Sequence, residues 1–226
     1  MVLAVNESVP SVFEGIANTV ALIVLLLEFG MLRASLLRGQ VRLYAGQSLA
    51  VSILAAVIAF GRDVPELYAL AALSLLLKAV VVPLVVVGLL REANEEIAGS
   101  GVLGVANEVL ISIAVGAFGF FAVGVLAIHS PVLPTVALSL SVAVVLVAFI
   151  LMIVRRDVVS QAIGFFSLEN GVSLASLVVA AGMPLILEVA FLFDLLVAVV
   201  VFGVLMRTHH RRTRSLSTET LDRLRG

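Results

Sequence analysis

The sequence contains no cysteine. Disulfide bonds, thiolate chemistry and cysteine-ligated metal or iron–sulfur clusters are therefore excluded from this chain, and any redox chemistry connected with it has to reside in a partner. Charged residues are also scarce, since 13% of the chain is Asp, Glu, Lys or Arg while 62% is hydrophobic. This balance excludes an ordinary soluble globule and is typical of a polytopic membrane protein.

Several short recognition signals are missing as well. Residues 1–10 include no basic residue, so the n-region of a cleavable signal peptide is lacking and we expect the first apolar run to be retained. No G-x-x-x-x-G-K-S/T loop is present. Residues 99–104 do have the G-x-G-x-x-G spacing, but they lie between two predicted membrane helices and do not follow a strand, so nucleotide hydrolysis and dinucleotide binding have no support. His129, His209 and His210 are too few and too far apart to predict a metal site. The arginine-rich segment 207–214 indicates an anchor on anionic lipid and not a nucleic-acid patch.

Seven apolar stretches are long enough to cross about 30 Å of hydrocarbon as helices. They show no alternation of polar and apolar residues, which favours helices over a barrel. The sequence therefore predicts an all-α transmembrane domain over residues 1–206, followed by a basic cytoplasmic tail at 207–226. Pro83 predicts a kink in the third helix, which serves either function or packing. The predicted helices cover residues 12–33, 41–61, 65–90, 102–128, 133–154, 158–181 and 184–206.

The basic residues are distributed very unevenly between the two sides of the predicted helices. Of the 14 lysines and arginines, 12 fall in the loops after helices 1, 3 and 5 or near and beyond the end of helix 7. Arg62 falls on the opposite side, and Lys78 lies within a helix. The positive-inside rule then predicts a multi-pass protein of the cytoplasmic membrane, with its N-terminus outside and its C-terminus in the cytoplasm.

The sequence also contains a weak internal repeat that relates two sets of predicted helices. Predicted helices 1–3 and 5–7 form two copies of a three-helix unit in the same orientation, with helix 4 as the connector. In the first copy Val51 occupies the position of Glu169, and Lys78 occupies that of Asp194. The matching pairs are Arg38 with Gly46 and Arg156 with Gly164, eight residues apart, and Lys78 with Arg91 and Asp194 with Arg207, thirteen apart.

Three ionisable residues are predicted near the middle of the membrane. At 1.5 Å of rise per residue, Lys78, Glu169 and Asp194 each lie about 15–16 Å along their helices. A charged group costs several kcal/mol there, so such residues are commonly functional. Two carboxyl groups and one amine at the same depth predict a proton relay. The alternative is a lysine–carboxylate pair that only pins helices together.

Three further acids are candidates for the ends of the proton path. Glu28 and Glu108 lie nearer the cytoplasmic face, where a proton could enter or leave, although interfacial acids also simply snorkel. Glu188 lies closer to the outer surface and on a different face from Asp194. Polar residues along the path could hold water or act as packing contacts between helices. Those singled out are Gln47, Ser48, Asn107 and Asn170.

Four motifs in these helices resemble those of a known family. They are Tyr44-Ala-Gly-Gln-Ser-Leu49, Lys78-Ala-Val-Val-Val-Pro-Leu84, Gly164-Phe-Phe-Ser-Leu-Glu-Asn-Gly171 and Phe193-Asp194 before an apolar run. From helix 2 to the C-terminus the chain is similar to hydrogenase-4 component E, a membrane subunit of group 4 nickel–iron hydrogenases and formate hydrogenlyase-type complexes. Its last third also resembles subunit K of NADH:quinone oxidoreductase and the equivalent small subunit of Mrp-type antiporters.

The resemblance implies a role for two of the acids. Glu169 and Asp194 would correspond to the buried carboxylates of subunit K, which belong to a chain of charged residues linking redox chemistry to proton movement. The sequence departs from the subunit K pattern in two ways. Glu169 lies five residues after Gly164, where that pattern has its glutamate two residues after the glycine, and Asp194 stands in place of a glutamate.

The resemblance also implies partners. These are antiporter-like membrane subunits, a membrane protein like the H component of NADH:quinone oxidoreductase, and a peripheral arm with iron–sulfur clusters and, in hydrogenases, a nickel–iron centre. The chain itself would bind no cofactor, metal or nucleic acid and would not be a catalyst. The resulting hypothesis is a subunit that contributes buried charges to redox-coupled proton or sodium translocation.

Two other interpretations remain open at this stage. One is a scaffold subunit in the same kind of complex, and the other is a subunit of an Mrp-type cation/proton antiporter. A stand-alone transporter is disfavoured, because the sequence lacks an obvious pair of broken helices.

Overall fold

A computed structural model of the chain describes residues 12–62, 65–93, 97–98, 101, 103–125, 135–179 and 185–213. These residues are almost entirely helical, and no strand is found among them. Two isolated β-bridges, Leu36 with Ile97 and Gly101 with Arg155, tie loops together. The helices are α1 (Val12–Arg33), α2 (Leu37–Arg62), α3 (residues 65–93), α4 (Val105–Val125), α5 (Thr135–Val154), α6 (Val158–Val179) and α7 (Leu185–Thr213).

Six of these helices, α1 to α6, are long and apolar enough to cross a membrane. A helix satisfies most of its backbone hydrogen bonds internally, as a lipid environment requires. The prediction of an all-α, multi-pass membrane protein is therefore confirmed. A membrane crossing by α7 stays a prediction, as does the division into two three-helix units.

The helix ends differ from the predicted ones mainly in α2 and α7. The second helix begins at Leu37 and not at residue 41, since the polar residues assigned to a loop form its first turn. The last helix continues to Thr213, although the prediction ended it at residue 206. Residues 207–213 contain no glycine or proline, and arginine both favours helix and complements the dipole at a helix C-terminus. Part of the predicted basic tail is thus helical.

The third helix is irregular at its centre. A π-helical turn, Leu75–Val81, separates the α-helical segments Pro65–Ser74 and Val82–Ala93. Pro83 has no N–H to donate and its ring crowds the carbonyl four residues earlier, which favours a wider turn just before it. The Val82 N–H donates to the Leu77 carbonyl five residues back, the spacing of a π-helix. This irregular turn contains Lys78.

The centre of the bundle consists of α1, α2, α5 and α6. The helix α1 packs on α2 and α5, and α6 packs on α2 and α5, while α3, α4 and α7 lie around this group. Glycines allow α5 and α6 to approach closely. A Cβ atom on Gly171 would lie 2.8 Å from Val145 Cγ2, and one on Gly164 would lie 2.7 Å from Met152 Cγ.

Two apolar clusters fill the interior, one towards the beginning of α1 and the other towards its end. On α1, Val24 belongs to the first cluster and Met31 to the second, with Glu28 between them. Buried polar residues separate the two clusters in the same way along α3, and along α2 and α6 in the reverse order. We call the buried polar residues between the two clusters the polar layer. It consists of Glu28, Gln47, Ser48, Lys78, Ser167, Glu169 and Asn170.

Candidate functional site

Lys78 and Glu169 meet in the polar layer. Their exposed fractions are 1% and 7%, and Lys78 Nζ lies 3.8 Å from Glu169 Oε2. The ammonium group also donates to Ser173 Oγ at 2.8 Å and to the Glu169 carbonyl at 3.4 Å. Ser173 in turn donates to the same carbonyl. Two of the three residues predicted at the middle of the membrane are therefore in direct contact.

Asp194, the third predicted residue, lies on an exposed part of α7. Its charge acts on Glu169, so the two carboxyl groups are electrostatic neighbours. The surface around Asp194 is apolar, with Phe193 65% exposed and Val197 43% exposed. An ionised carboxylate facing hydrocarbon costs several kcal/mol. A polar group of a neighbouring molecule next to Asp194 would offset this cost.

Glu28 belongs to a second cluster of the polar layer. It is 0% exposed, and its Oε2 accepts hydrogen bonds from Gln47 Nε2 at 2.9 Å and from the Ser167 hydroxyl. Asn170 Nδ2 donates to Gln47 Oε1 at 3.0 Å and to Ser48 Oγ at 2.9 Å. The structure thus joins Glu28 to three residues predicted to line a path: Gln47, Ser48 and Asn170.

Serine side chains continue from this cluster towards Lys78. Ser52 lies one turn beyond Ser48 on α2, and its hydroxyl donates to Ser74 Oγ on α3 at 3.4 Å. Ser74 lies one turn before Lys78. Side chains one helical turn apart, such as Ser48 and Ser52 or Ser74 and Lys78, are about 5–6 Å apart, and a water molecule can bridge that distance. The geometry thus offers a polar route between Glu28 and Lys78.

Glu108 lies in a different place, at the end of the bundle where α1 and α5 end. It is 2% exposed, and its carboxylate packs so closely on Gly101 that a Cβ there would collide with it. The charge of Arg155 acts on Glu108, and Arg155 donates to the Leu32 carbonyl. Glu108 is therefore placed in a buried end cluster and not in the polar layer.

Asn107 and Glu188 are the remaining predicted residues. Asn107 is exposed on α4, where its backbone N–H donates to the Gly104 carbonyl at 2.9 Å. Glu188 lies on α7, but its side chain is outside the described part of the chain. In the ranges that the structure describes, no three His, Cys, Asp or Glu side chains come together as a metal site would need.

Sequence reasoning missed three residues that contact or approach the ionisable groups. Ser173 lies four residues after Glu169, and Ser74 lies four residues before Lys78, so both share a helix face with the charged residue. This four-residue spacing from a charged residue could have identified both serines from the sequence. Arg155 was assigned only to a basic loop, and its interaction with Glu108 depends on helices that are distant in sequence.

The fold and the site define a multi-pass helical membrane protein with ionisable side chains paired in its interior. Over 190 residues the chain is 32% identical to the uncharacterized protein Rv0085 of Mycobacterium tuberculosis, an alignment covering 84% of this chain and 85% of that protein. The chain belongs to the same family as Rv0085. No family model matches the chain, and no solved structure matches it.

Proposed function

We propose that the chain is a non-catalytic membrane subunit of a hydrogenase-4-type or complex I-like assembly, in which it helps to move protons coupled to electron transfer. The observation that carries this proposal is the buried contact between Lys78 and Glu169, with Asp194 nearby at the surface. Ionisable groups inside a membrane are commonly functional because their burial is costly. The resemblance of four motifs to hydrogenase-4 component E supports the choice of assembly.

The contact suggests how a proton would step through the site. Transfer from the Lys78 ammonium to the Glu169 carboxylate replaces an ion pair by two neutral groups, and both charges are lost from a medium of low dielectric together. The Ser173 hydroxyl, 2.8 Å from Nζ, can hold the amine in position during the transfer. Glu169 then passes the proton towards Asp194, and Lys78 takes up another from the serine route.

Asp194 would deliver the proton to a partner. Its exposed position on α7 suits contact with an antiporter-like membrane subunit that contributes its own polar or charged group. A membrane protein like the H component of NADH:quinone oxidoreductase and a peripheral arm with iron–sulfur clusters or a nickel–iron centre would complete the assembly. We place the chain in the cytoplasmic membrane, with its N-terminus outside, its arginine-rich C-terminus inside and its helices arranged as two subunit K-like units joined by α4.

The composition of the native complex tests the proposed assembly. An affinity tag on the full chain, mild solubilisation of native membranes and mass spectrometry should recover antiporter-like subunits together with iron–sulfur proteins. Recovery of antiporter subunits alone would favour the Mrp-type antiporter interpretation. Recovery of the chain with no other subunit would contradict every version of the proposal.

A scaffold role is the second candidate, and the same contact motivates it, since a buried ion pair can also fix helix positions. The two roles differ in what Glu169→Gln changes. In a scaffold, the variant lowers the amount of assembled complex in the membrane. In a relay, the amount of complex stays within about twofold of the wild type while coupling is lost. Quantitative blotting of the complex on native gels measures this difference.

A further inference from the structure

The hydrogen bonds around Glu28 use every side-chain donor of the amides in the cluster. Gln47 Nε2 donates to Glu28 Oε2 and to the Val24 carbonyl, the latter at 3.3 Å. Asn170 Nδ2 likewise makes two bonds, to Gln47 Oε1 and Ser48 Oγ. Ser167 Oγ has one hydrogen, and it contacts both Glu28 Oε2 and Gln47 Oε1. The amides have no further N–H to give.

The atoms left over are acceptors. Among the described residues, Glu28 Oε1 and Asn170 Oδ1 have no hydrogen-bond partner, and both side chains are fully buried. Burying an oxygen without a hydrogen-bond partner destabilises the fold, and more so if the oxygen is charged. These two oxygens therefore lack a donor or a positive charge, although the buried Tyr44 hydroxyl beside Ser48 also has no hydrogen-bond partner among the described residues.

Glu28 also lacks the kind of partner that Glu169 has. The side chains that act on it in the described structure are Ser167 and Gln47, and both are neutral. An ionised carboxylate in such a place needs a compensating cation. A proton on Glu28 is the alternative means of neutralising the carboxylate.

We propose that this cluster is a binding site for a small monovalent cation, Na⁺. The Glu28 carboxylate is the charged ligand, and oxygens of Gln47, Ser167 and Asn170 are the neutral ones. Hard cations prefer such oxygen ligands. One carboxylate balances one positive charge, whereas a divalent ion would leave a net charge in a low-dielectric interior. The site does not depend on the proposed role of Lys78 and Glu169.

Thermal unfolding of the purified full chain in detergent tests the site. At equal ionic strength, Na⁺ should raise the Tm above its value in choline chloride, by about 3–6 °C at a concentration tenfold above Kd. Because ionic strength is held constant, the rise reports binding at a site, and above Kd it should grow with the logarithm of the Na⁺ concentration. Glu28→Gln keeps the shape of the side chain but removes its charge, and it should abolish the rise.

A matched control and a direct binding assay complete the experiment. Glu14→Gln makes the same change in the first turn of the same helix, and it should keep the Na⁺ response. No difference between Na⁺ and choline in the wild type, or a response that survives Glu28→Gln, would overturn the proposal. If Glu28→Gln does not fold, saturable binding of radioactive Na⁺ to the wild-type chain decides instead, and its absence contradicts the site.

Discussion

Two buried carboxyl groups, Glu169 and Glu28, lie in the same polar layer but have different kinds of neighbouring groups. Glu169 lies 3.8 Å from the Lys78 ammonium, whereas Glu28 contacts neutral amide and hydroxyl groups. The first therefore forms a charge-balanced pair, and the second has a hydrogen-bonding cluster with unused acceptors. A carboxyl group can thus be kept inside a membrane bundle either by a fixed counter-ion or by a site that an exchangeable cation completes.

Among the variants considered, removal of Lys78 should lower the free energy of unfolding the most. The Lys78→Met variant leaves Glu169 buried without its counter-ion, which we expect to cost about 3–5 kcal/mol of unfolding free energy. Chemical denaturation in detergent measures the loss. The double variant Lys78→Met with Glu169→Met removes both charges and should recover at least half of it. Purely additive losses would show that the two side chains do not interact energetically.

Replacing Glu28 by leucine should cost less, because no opposite charge is left behind. The Gln47 amide and the Ser167 hydroxyl lose an acceptor, for a cost of about 2 kcal/mol. Glu28→Gln is the control and should cost less than about 1 kcal/mol in Na⁺-free buffer, since the new side chain can still accept. A larger loss for Glu28→Leu than for Lys78→Met would reverse the proposed difference between the two sites.

The close contact between α5 and α6 holds both sites, because α6 carries Glu169 as well as Ser167 and Asn170. Gly171→Val should destabilise the bundle by about 1–3 kcal/mol, since even a Cβ atom there meets Val145. Gly88 has no atom within 4 Å of its Cβ position, so Gly88→Val serves as the control. Equal losses in the two variants would mean that the α5–α6 contact does not set the spacing.

The smallest change in unfolding free energy is expected for a substitution in an exposed ion pair. Arg207 forms an ion pair with Glu92 at 3.4 Å, and both side chains are about 60% exposed. The Arg207→Gln variant should change the unfolding free energy by less than about 1 kcal/mol, because an exposed pair gains little. A cost similar to that of Lys78→Met would show that burial is not what separates the two ion pairs.

Much of the helical architecture follows from the sequence, because apolar runs of membrane length admit few other structures. The contact of Lys78 with Glu169 also follows in part from counting residues along their helices. The π-helical turn around Lys78 does not, since a proline predicts a disturbance without its form. The hydrogen-bonded cluster of Glu28, Gln47 and Asn170 does not follow from the sequence either. It depends on how three helices are rotated about their axes, and hydrophobicity alone does not determine that rotation.

Proton translocation by the native complex gives the most direct test of the relay through Lys78 and Glu169. In inverted membrane vesicles, the number of protons moved per electron pair is compared for wild type, Glu169→Gln and the exposed-site control Glu92→Gln. With complex levels matched, Glu169→Gln is expected to lower this ratio at least tenfold or to abolish pumping, while electron transfer to a soluble dye and the control remain unchanged. A wild-type proton ratio in Glu169→Gln would contradict the relay.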